Sequence, residues 1–536
     1  MKTIVHLLLI LAGLIFYSSI VAQTKSEKID SLLSAYYDAD CFNGVVLVSK
    51  KGELIFKKAY GLADRELNVQ ITTDMRFRIA SISKPFTALI ILQLVDEGII
   101  KLDGKITDYV PDYAGKKGDS ITIHQLLTHT SGILQNLDPE KEAIQERLYH
   151  SLREMIKYIE ESDLYFDPGT GYHYSNLAYN LLAYIAEKVT NKSFDKLLTE
   201  RVLEPLKMNN TKQSRASEIE KNLTKGYEYK LLSGYENASY IDPSFTVGPG
   251  GLISDVGDLS KLDKALYDKR LISRDLYVKM FTPTKYGSYG YGWDIRTKIT
   301  KSKNDTVAIK LDTVANKLDT VANGYNKITN KPDTIQIFSH AGSINGFGSY
   351  LARIERDSIL VIILKNNRTD TYISPAYAPT IGQEIISIMF DEVIPIPKKS
   401  IARHMGLEIG KLGINKSITD YYNIKRNDFD RYNFDESELN KLGIELYFRY
   451  KLPEEALRVF EVNMREFPHS YNTYDSYAYI LMQKGDYQNS IKYYKLGLQI
   501  LAKFPKENNS ESVLKDAKNA ERTIAEIETK IKSTKL

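Results

Sequence analysis

The chain has 536 residues, more than one ordinary domain holds, with 72 basic against 68 acidic residues and a formal charge of +4. A charge this balanced, with no concentrated basic block, excludes the electrostatic footprint of nucleic-acid binding. The single cysteine, Cys41, excludes an intrachain disulfide and leaves stability to a large apolar core.

Residues 1–22 begin with Lys2, run apolar from Ile4 to Phe16 and end on Ala22 before Gln23, the pattern of a cleaved export signal. The expectation is an exported protein, periplasmic or extracellular, with no stable membrane span after cleavage. The alternative is retention at the membrane by an uncleaved segment. Residues 43–49 and 53–60 are β-branched or alternating runs around Lys50-Lys51-Gly52 and predict a β-hairpin.

Residues 77–98 are the stretch around which the chain is organised. Pro85 fits only near a helix start, so a helix should open at Ser81 to Ser83 and stop at Gly98. From Phe86 to Val95 it is apolar nearly all round, which marks a buried central element. Ser81 and Lys84, three apart, share one face at its mouth. A serine becomes a useful nucleophile when a neighbouring base takes its proton, and a lysine is such a base when burial depresses its pKa. The bland reading is an N-cap and a solvated charge, although a first-turn lysine opposes the helix dipole. S-x-x-K also occurs at Ser193/Lys196 and Ser512/Lys515, so the pattern alone is weak.

Residues 121–129 predict a short amphipathic helix ending in Thr130-Ser131-Gly132, with His129 as a structural hydrogen-bonder because no acid stands beside it. Residues 144–161 read as helix and Asp167-Pro168-Gly169 as a turn. Tyr174 and Asn176 then lie two apart on a loop before a helix at 177–190. There a tyrosine can relay a proton if cations favour its phenolate, and an asparagine can hold an amide. Gly248-Pro249-Gly250-Gly251 is a tight loop before a helix at 254–267, and 289–295, with the only tryptophan (Trp293), reads as a strand. Three near-copies of a seven-residue unit at 305–325 read as a surface insertion. Strand-like runs follow at 334–340, 347–354 and 358–366, the first ending in His340-Ala341-Gly342, and a helix at 376–390 returns over the sheet. Gly342 would let a substrate pair with the strand backbone, and His340 would supply a donor or a proton.

With Ser81-Ile82-Ser83-Lys84, Tyr174-Ser175-Asn176 and His340-Ala341-Gly342 in this order, the chain resembles the serine β-lactamase and penicillin-binding-protein superfamily, in its class C β-lactamase and D,D-peptidase branch. The match spans about residues 28–390 and includes Q-L-L-T-H-T-S-G, F-D-P-G-T-G-Y-H-Y-S-N and G-P-G-G-L-I-S. The resemblance implies an α+β fold: an antiparallel sheet flanked by helices, with an all-helical subdomain. It implies Ser81 as the acylated nucleophile, Lys84 and Tyr174 sharing the base role and Asn176 binding a substrate amide. The oxyanion hole would be the N–H groups of Ser81 and of Ser343, just after Gly342. His340 stands where dedicated class C β-lactamases carry lysine, which leaves peptidase or esterase chemistry open.

Pro395 and Pro397 begin a linker. From Glu438 a period of 34 aligns Gly443 with Tyr477, Tyr447 with Leu481, Ala456 with Ser490 and Phe460 with Tyr494, with Pro468 and Pro505 closing the two units. This resembles tetratricopeptide repeats, an α-solenoid, with residues 507–532 as a cap and 401–426 as a divergent first unit. The domain expectation is therefore a signal at 1–22, a serine hydrolase at 23–395 and a helical linker and repeat region at 396–536. The function expected is an acyl-enzyme hydrolase on an amide or ester, a small molecule or peptide, needing no metal or cofactor. The alternatives are a catalytically weak scaffold whose repeats bind a protein partner, and a β-lactamase in the strict sense.

Overall fold

The computed structural model describes residues 23–300, 333–369, 373 and 376–534; the leader at 1–22 and the near-repeat at 305–325 lie outside the described residues. The centre of the hydrolase part is an antiparallel sheet of six strands: β1 (Gly44–Lys50), β2 (Glu53–Tyr60), β3 (Asp294–Thr300), β4 (Asp333–Ile344), β5 (Phe347–Ile354) and β6 (Ile359–Lys365). Their order is β3-β4-β5-β6-β1-β2, so the two ends of the hydrolase sequence meet where Gly44 pairs with Lys365 and Lys50 with Ile359.

Both faces of this sheet are covered, which is why β6 (I-L-V-I-I-L-K) is apolar almost throughout rather than alternating. On one face Val46, Val48, Ile337, Ala352, Val361 and Ile363 pack against α1 (Lys25–Asp38) and α7 (Ala378–Met389). On the other, Val45, Leu47, Leu351, Leu360, Ile362 and Leu364 join a core shared with the helical layer. That layer includes α2 (Ser83–Asp96), α3 (Ile123–Leu127), α4 (Leu152–Glu160), α5 (Asn176–Thr190) and α6 (Val256–Tyr267). Helix α2 is buried from Ser83 through Leu92, as its all-round apolar sequence requires.

Three elements differ from expectation. The 144–161 stretch is two helices, Pro139–Gln145 and α4, because Ser151 caps α4 in a reciprocal box with Glu154 while His150 turns back to the Gln145 carbonyl. The strand expected at 289–295 begins only at Asp294. Before it, Gly290 donates to the Trp293 carbonyl in a tight turn, and Gly292, at φ +79°, presses on Pro85 so closely that a Cβ would lie 2.9 Å from the Pro85 Cα. Strand β4 runs on to Ile344, so His340-Ala341-Gly342 lies within the strand and not at its end.

Beyond Pro397 the chain is helical: α8 (Ile401–Leu412), α9 (Ile414–Asn427), α10 (Glu436–Phe448), α11 (Pro453–Glu466), α12 (Tyr471–Gln483), α13 (Tyr487–Lys503) and α14 (Glu511–Thr534). Apolar residues of α8–α12 form a core that also takes in Leu231 and Ile373 of the hydrolase part, and residues of α12, α13 and α14 form a second, smaller one. No described helix is long and apolar enough to cross a membrane.

Candidate active site

A strained turn presents Ser81. Residues Ala80–Ile82 form a single 3-10 turn ahead of α2, and Ala80 holds φ at +47°, the left-handed region that a residue with a Cβ avoids at a cost of about 1–3 kcal/mol. Its neighbours fix it there. Ile79 N donates to the Leu252 carbonyl, Ser83 Oγ donates to the Ala80 carbonyl and Ser349 Oγ donates to the Ile79 carbonyl. Gly342 of β4 lies directly against this turn, and a Cβ there would overlap the Ile79 carbonyl oxygen and Ser349 Oγ and sit 3.1 Å from the Ala80 Cβ. The glycine therefore lets β4 pack on the nucleophile turn, at the wall of the cavity that Ser81 faces.

Lys84 is fully buried. Its Nζ donates to Ser81 Oγ at 3.2 Å, to Asn176 Oδ1 at 2.7 Å and to the Pro249 carbonyl at 3.2 Å, and lies 4.6 Å from the centre of the Tyr174 ring. Every acceptor is neutral, so burial goes uncompensated and holds the ammonium well below the usual lysine range. Burial pushes the Tyr174 phenol up, with a hydrogen bond to Ser81 pulling the other way. The phenolate considered from the sequence is thus disfavoured: the cation meant to stabilise it is itself pressed towards neutrality.

Asn176 spends both ends of its amide within the protein, accepting from Lys84 and donating from Nδ2 to Asn136 Oδ1 at 2.7 Å. His340 lies on the cavity wall with both ring nitrogens engaged. Nδ1 faces the Ala341 carbonyl at 2.7 Å, so Nε2 accepts from the Tyr289 hydroxyl at 2.7 Å. Burial and the Lys84 charge push the imidazole down to about 3, against the opposing pull of the Ala341 carbonyl. It is a neutral wall residue, not the free donor or proton source that its position in the sequence suggests. Ser343 is exposed to the cavity two residues before the β4–β5 turn.

His129 is a structural hydrogen-bonder, as expected. Its Nδ1 accepts from Ser175 N, its carbonyl accepts from His173 N, and its ring lies 4.3 Å from that of Tyr174. It holds the backbone on both sides of the tyrosine. Two adjoining cavities, of about 880 and 350 Å³, meet at Ser81, Asn176, Gln135, Ser343 and Arg368; Tyr174, His340 and Gly342 line only the larger. Gln135, Asn136, Tyr289 and Arg368 carry no motif of their own. Only the Y-G-Y-G-W-D-I run around Tyr289 was conspicuous in the sequence.

A family model described as Beta-lactamase matches residues 29–376, more than half of the chain. Penicillin-binding protein 4* of Bacillus subtilis is 25% identical over 401 residues, covering 70% of this chain and 79% of that protein. Esterase EstB of Burkholderia gladioli is 32% identical over 204 residues, covering 35% of this chain and 52% of the esterase. Among solved structures, the D-amino acid amidase of Ochrobactrum anthropi in complex with L-phenylalanine amide superposes with a TM-score of 0.54 at 20% identity, over 68% of this chain and 98% of the amidase. A penicillin-binding protein of Bacillus halodurans gives 0.52 at 21%, over 67% and 98%. The matched region, the two-faced sheet and the Ser81–Lys84 pair at the head of its buried helix agree: the chain belongs to the β-lactamase family, among serine hydrolases of the penicillin-binding-protein, esterase and amidase type.

Proposed function

We propose that this protein is an exported serine hydrolase that cleaves an amide or ester, a D-amino-acid peptide or a related compound, through an acyl-enzyme on Ser81. One observation carries the reading: a fully buried lysine with no carboxylate partner among the described residues, its Nζ 3.2 Å from a serine hydroxyl. Neutral Lys84 takes the Ser81 proton as Oγ bonds to the substrate carbonyl carbon. The Ser81 and Ser343 N–H groups receive the oxyanion. As the bond to the leaving amine or alkoxide breaks, Tyr174 gives that group a proton and Lys84 makes the loss good. Lys84 is then neutral again for the water that attacks the acyl ester, releasing the acid and restoring Ser81.

The related proteins support amide or ester chemistry, since one is named an esterase and another an amidase. The C-terminal helices fit a tetratricopeptide array. Ala456 and Ser490, one period of 34 apart, are both buried, as are Phe460 and Tyr494, and Gly443 lies against the Phe460 ring where no Cβ would fit.

The test is intact-protein mass after incubation with a penicillin and with an activated ester, wild type beside Ser81→Ala. A serine-dependent adduct that persists identifies a penicillin-binding peptidase. One that forms and clears with product released identifies a hydrolase of that compound. An adduct retained in Ser81→Ala, or none in the wild type, refutes the reading.

A further inference from the structure

The C-terminal helices grip a part of the hydrolase that is itself a wall of the Ser81 site. Arg403, in the first turn of α8, is buried: Nη1 lies 3.0 Å from Cys41 Sγ, Nη2 donates to the Asp40 carbonyl at 3.2 Å, and the guanidinium lies 3.7 Å from the centre of the Tyr229 ring. Gly406 and Gly410 follow at three and seven residues, on the same helix face. They rest on Leu231 and Leu232, and a Cβ on Gly410 would run into the Leu232 carbonyl. Tyr450 Oη, from the turn just past α10, accepts from Leu231 N at 3.0 Å.

Leu231 and Leu232 are the turn of a two-stranded ribbon, Tyr227–Lys230 with Gly234–Asn237. Its other contacts lead into the site. Tyr227 to Tyr229 pair in parallel with Asn367–Thr369, and the middle residue of that strand, Arg368, lines both cavities. Tyr235 Oη donates to the same Asp40 carbonyl that Arg403 uses and accepts from Asn367 Nδ2. At the ribbon's far end Gly226 abuts Gly346, and Asn345 Nδ2 donates to the Ser239 carbonyl at 3.1 Å. Asn345 and Gly346 are the β4–β5 turn that directly follows Ser343-Ile344.

We propose that the C-terminal helices are a positioning element of the active site, with Arg403 the positioning residue that holds, through the 227–237 ribbon, the Ser343 turn and Arg368 in place. The catalytic part of this inference rests on the hydrolase reading above. An N–H at Ser343 acts on charge that develops only in the transition state, so loosening its support lowers the acylation rate and leaves the affinity for a neutral ester unchanged. A merely structural contact lowers the melting temperature and moves neither the rate per folded molecule nor the mobility of the turn.

The experiment uses the full chain with Arg403→Met and Arg403→Lys, and reads single-turnover acylation by a neutral activated ester together with backbone hydrogen exchange. Expected for Arg403→Met are a tenfold or greater fall in acylation rate at unchanged KM and faster exchange at both 226–239 and 343–346. Arg403→Lys, which keeps the charge and loses the planar stack on Tyr229, should fall between. Where Arg403→Met does not fold, Tyr450→Phe, which deletes the hydroxyl that accepts from the ribbon-turn Leu231 N–H, carries the test with an expected two- to fivefold fall. A lower melting temperature with acylation and 343–346 exchange unchanged overturns the proposal. If the wild type forms no acyl-enzyme, the hydrolase reading fails by itself. Exchange at 343–346 then decides the positioning claim: faster in the variants supports it, unchanged overturns it.

Discussion

Replacing Gly342 by alanine adds one methyl group at the seam between β4 and the Ser81 turn. That methyl would overlap the backbone oxygen of Ile79 and the hydroxyl of Ser349, and meet the Ala80 Cβ at 3.1 Å. The serine can rotate away; the carbonyl cannot, because Ile79 is also tied to Leu252. Carbon–oxygen contacts close at about 3.3 Å, so strand and turn must part by on the order of an ångström. Overpacking of this kind typically costs about 1–3 kcal/mol of stability. The same displacement separates the Ser343 N–H from Ser81, and a misplacement of about 1 Å costs on the order of 100-fold in rate, or about 2.7 kcal/mol of transition-state stabilisation. The assay is stopped-flow release of the leaving group from an activated ester in a single turnover, with denaturant unfolding in parallel. A folded Gly342→Ala that acylates within threefold of wild type would refute the claim that this glycine sets the distance between oxyanion donor and nucleophile.

The activity should carry an acid limb set by Lys84, with a midpoint below the ordinary lysine value because burial depresses it. His340, neutral above about 3, contributes no limb near pH 6–7, so His340→Gln keeps the limb; a limb that disappears with His340 would assign the base to the imidazole. Stability has a definite sign as well. With the folded pKa of Lys84 depressed, the unfolded chain binds the extra proton, and wild-type stability falls as pH drops from the ordinary lysine value through the folded one. Lys84→Met should therefore be the more stable protein at neutral pH, by a margin that shrinks towards high pH; equal stability across the range would contradict it. Asp263→Asn strands the fully buried Arg353, which pairs with Asp263 at 2.8 Å and stacks on Tyr267, and should cost about 3–5 kcal/mol in denaturant unfolding. A loss below 1 kcal/mol would show that the Tyr277 hydroxyl suffices as a partner.

The parts legible in the sequence were those whose reason is local. Pro85 and the apolar run after it place α2, and Lys51-Gly52 places the β1–β2 turn. The occupancy of polar groups was not local. Nothing around His340 says that Tyr289, fifty-one residues away, satisfies its second nitrogen, or that Asn136 takes the free end of Asn176. Y-G-Y-G-W looked like a strand because its aromatics alternate with glycine. Those glycines instead fold it into a turn that seats on Pro85, a tertiary demand invisible at that range. Nor does anything local mark Gly406 and Gly410, whose helix face is set by Leu231 and Leu232 beneath them.

The strand order has a consequence for the protein's birth. β1 lies between β2, made at once, and β6, whose last residue is Lys365. Synthesis at about 5–20 residues per second leaves the Gly44–Lys50 edge without its second neighbour for about 15–60 s. During that interval G-V-V-L-V-S-K, apolar and β-branched, is an open template for pairing with other chains. The hydrolase part cannot close its sheet as it emerges. It must be kept from aggregating until just over two thirds of the polypeptide exists, and so long-range a join raises the contact order, which slows folding.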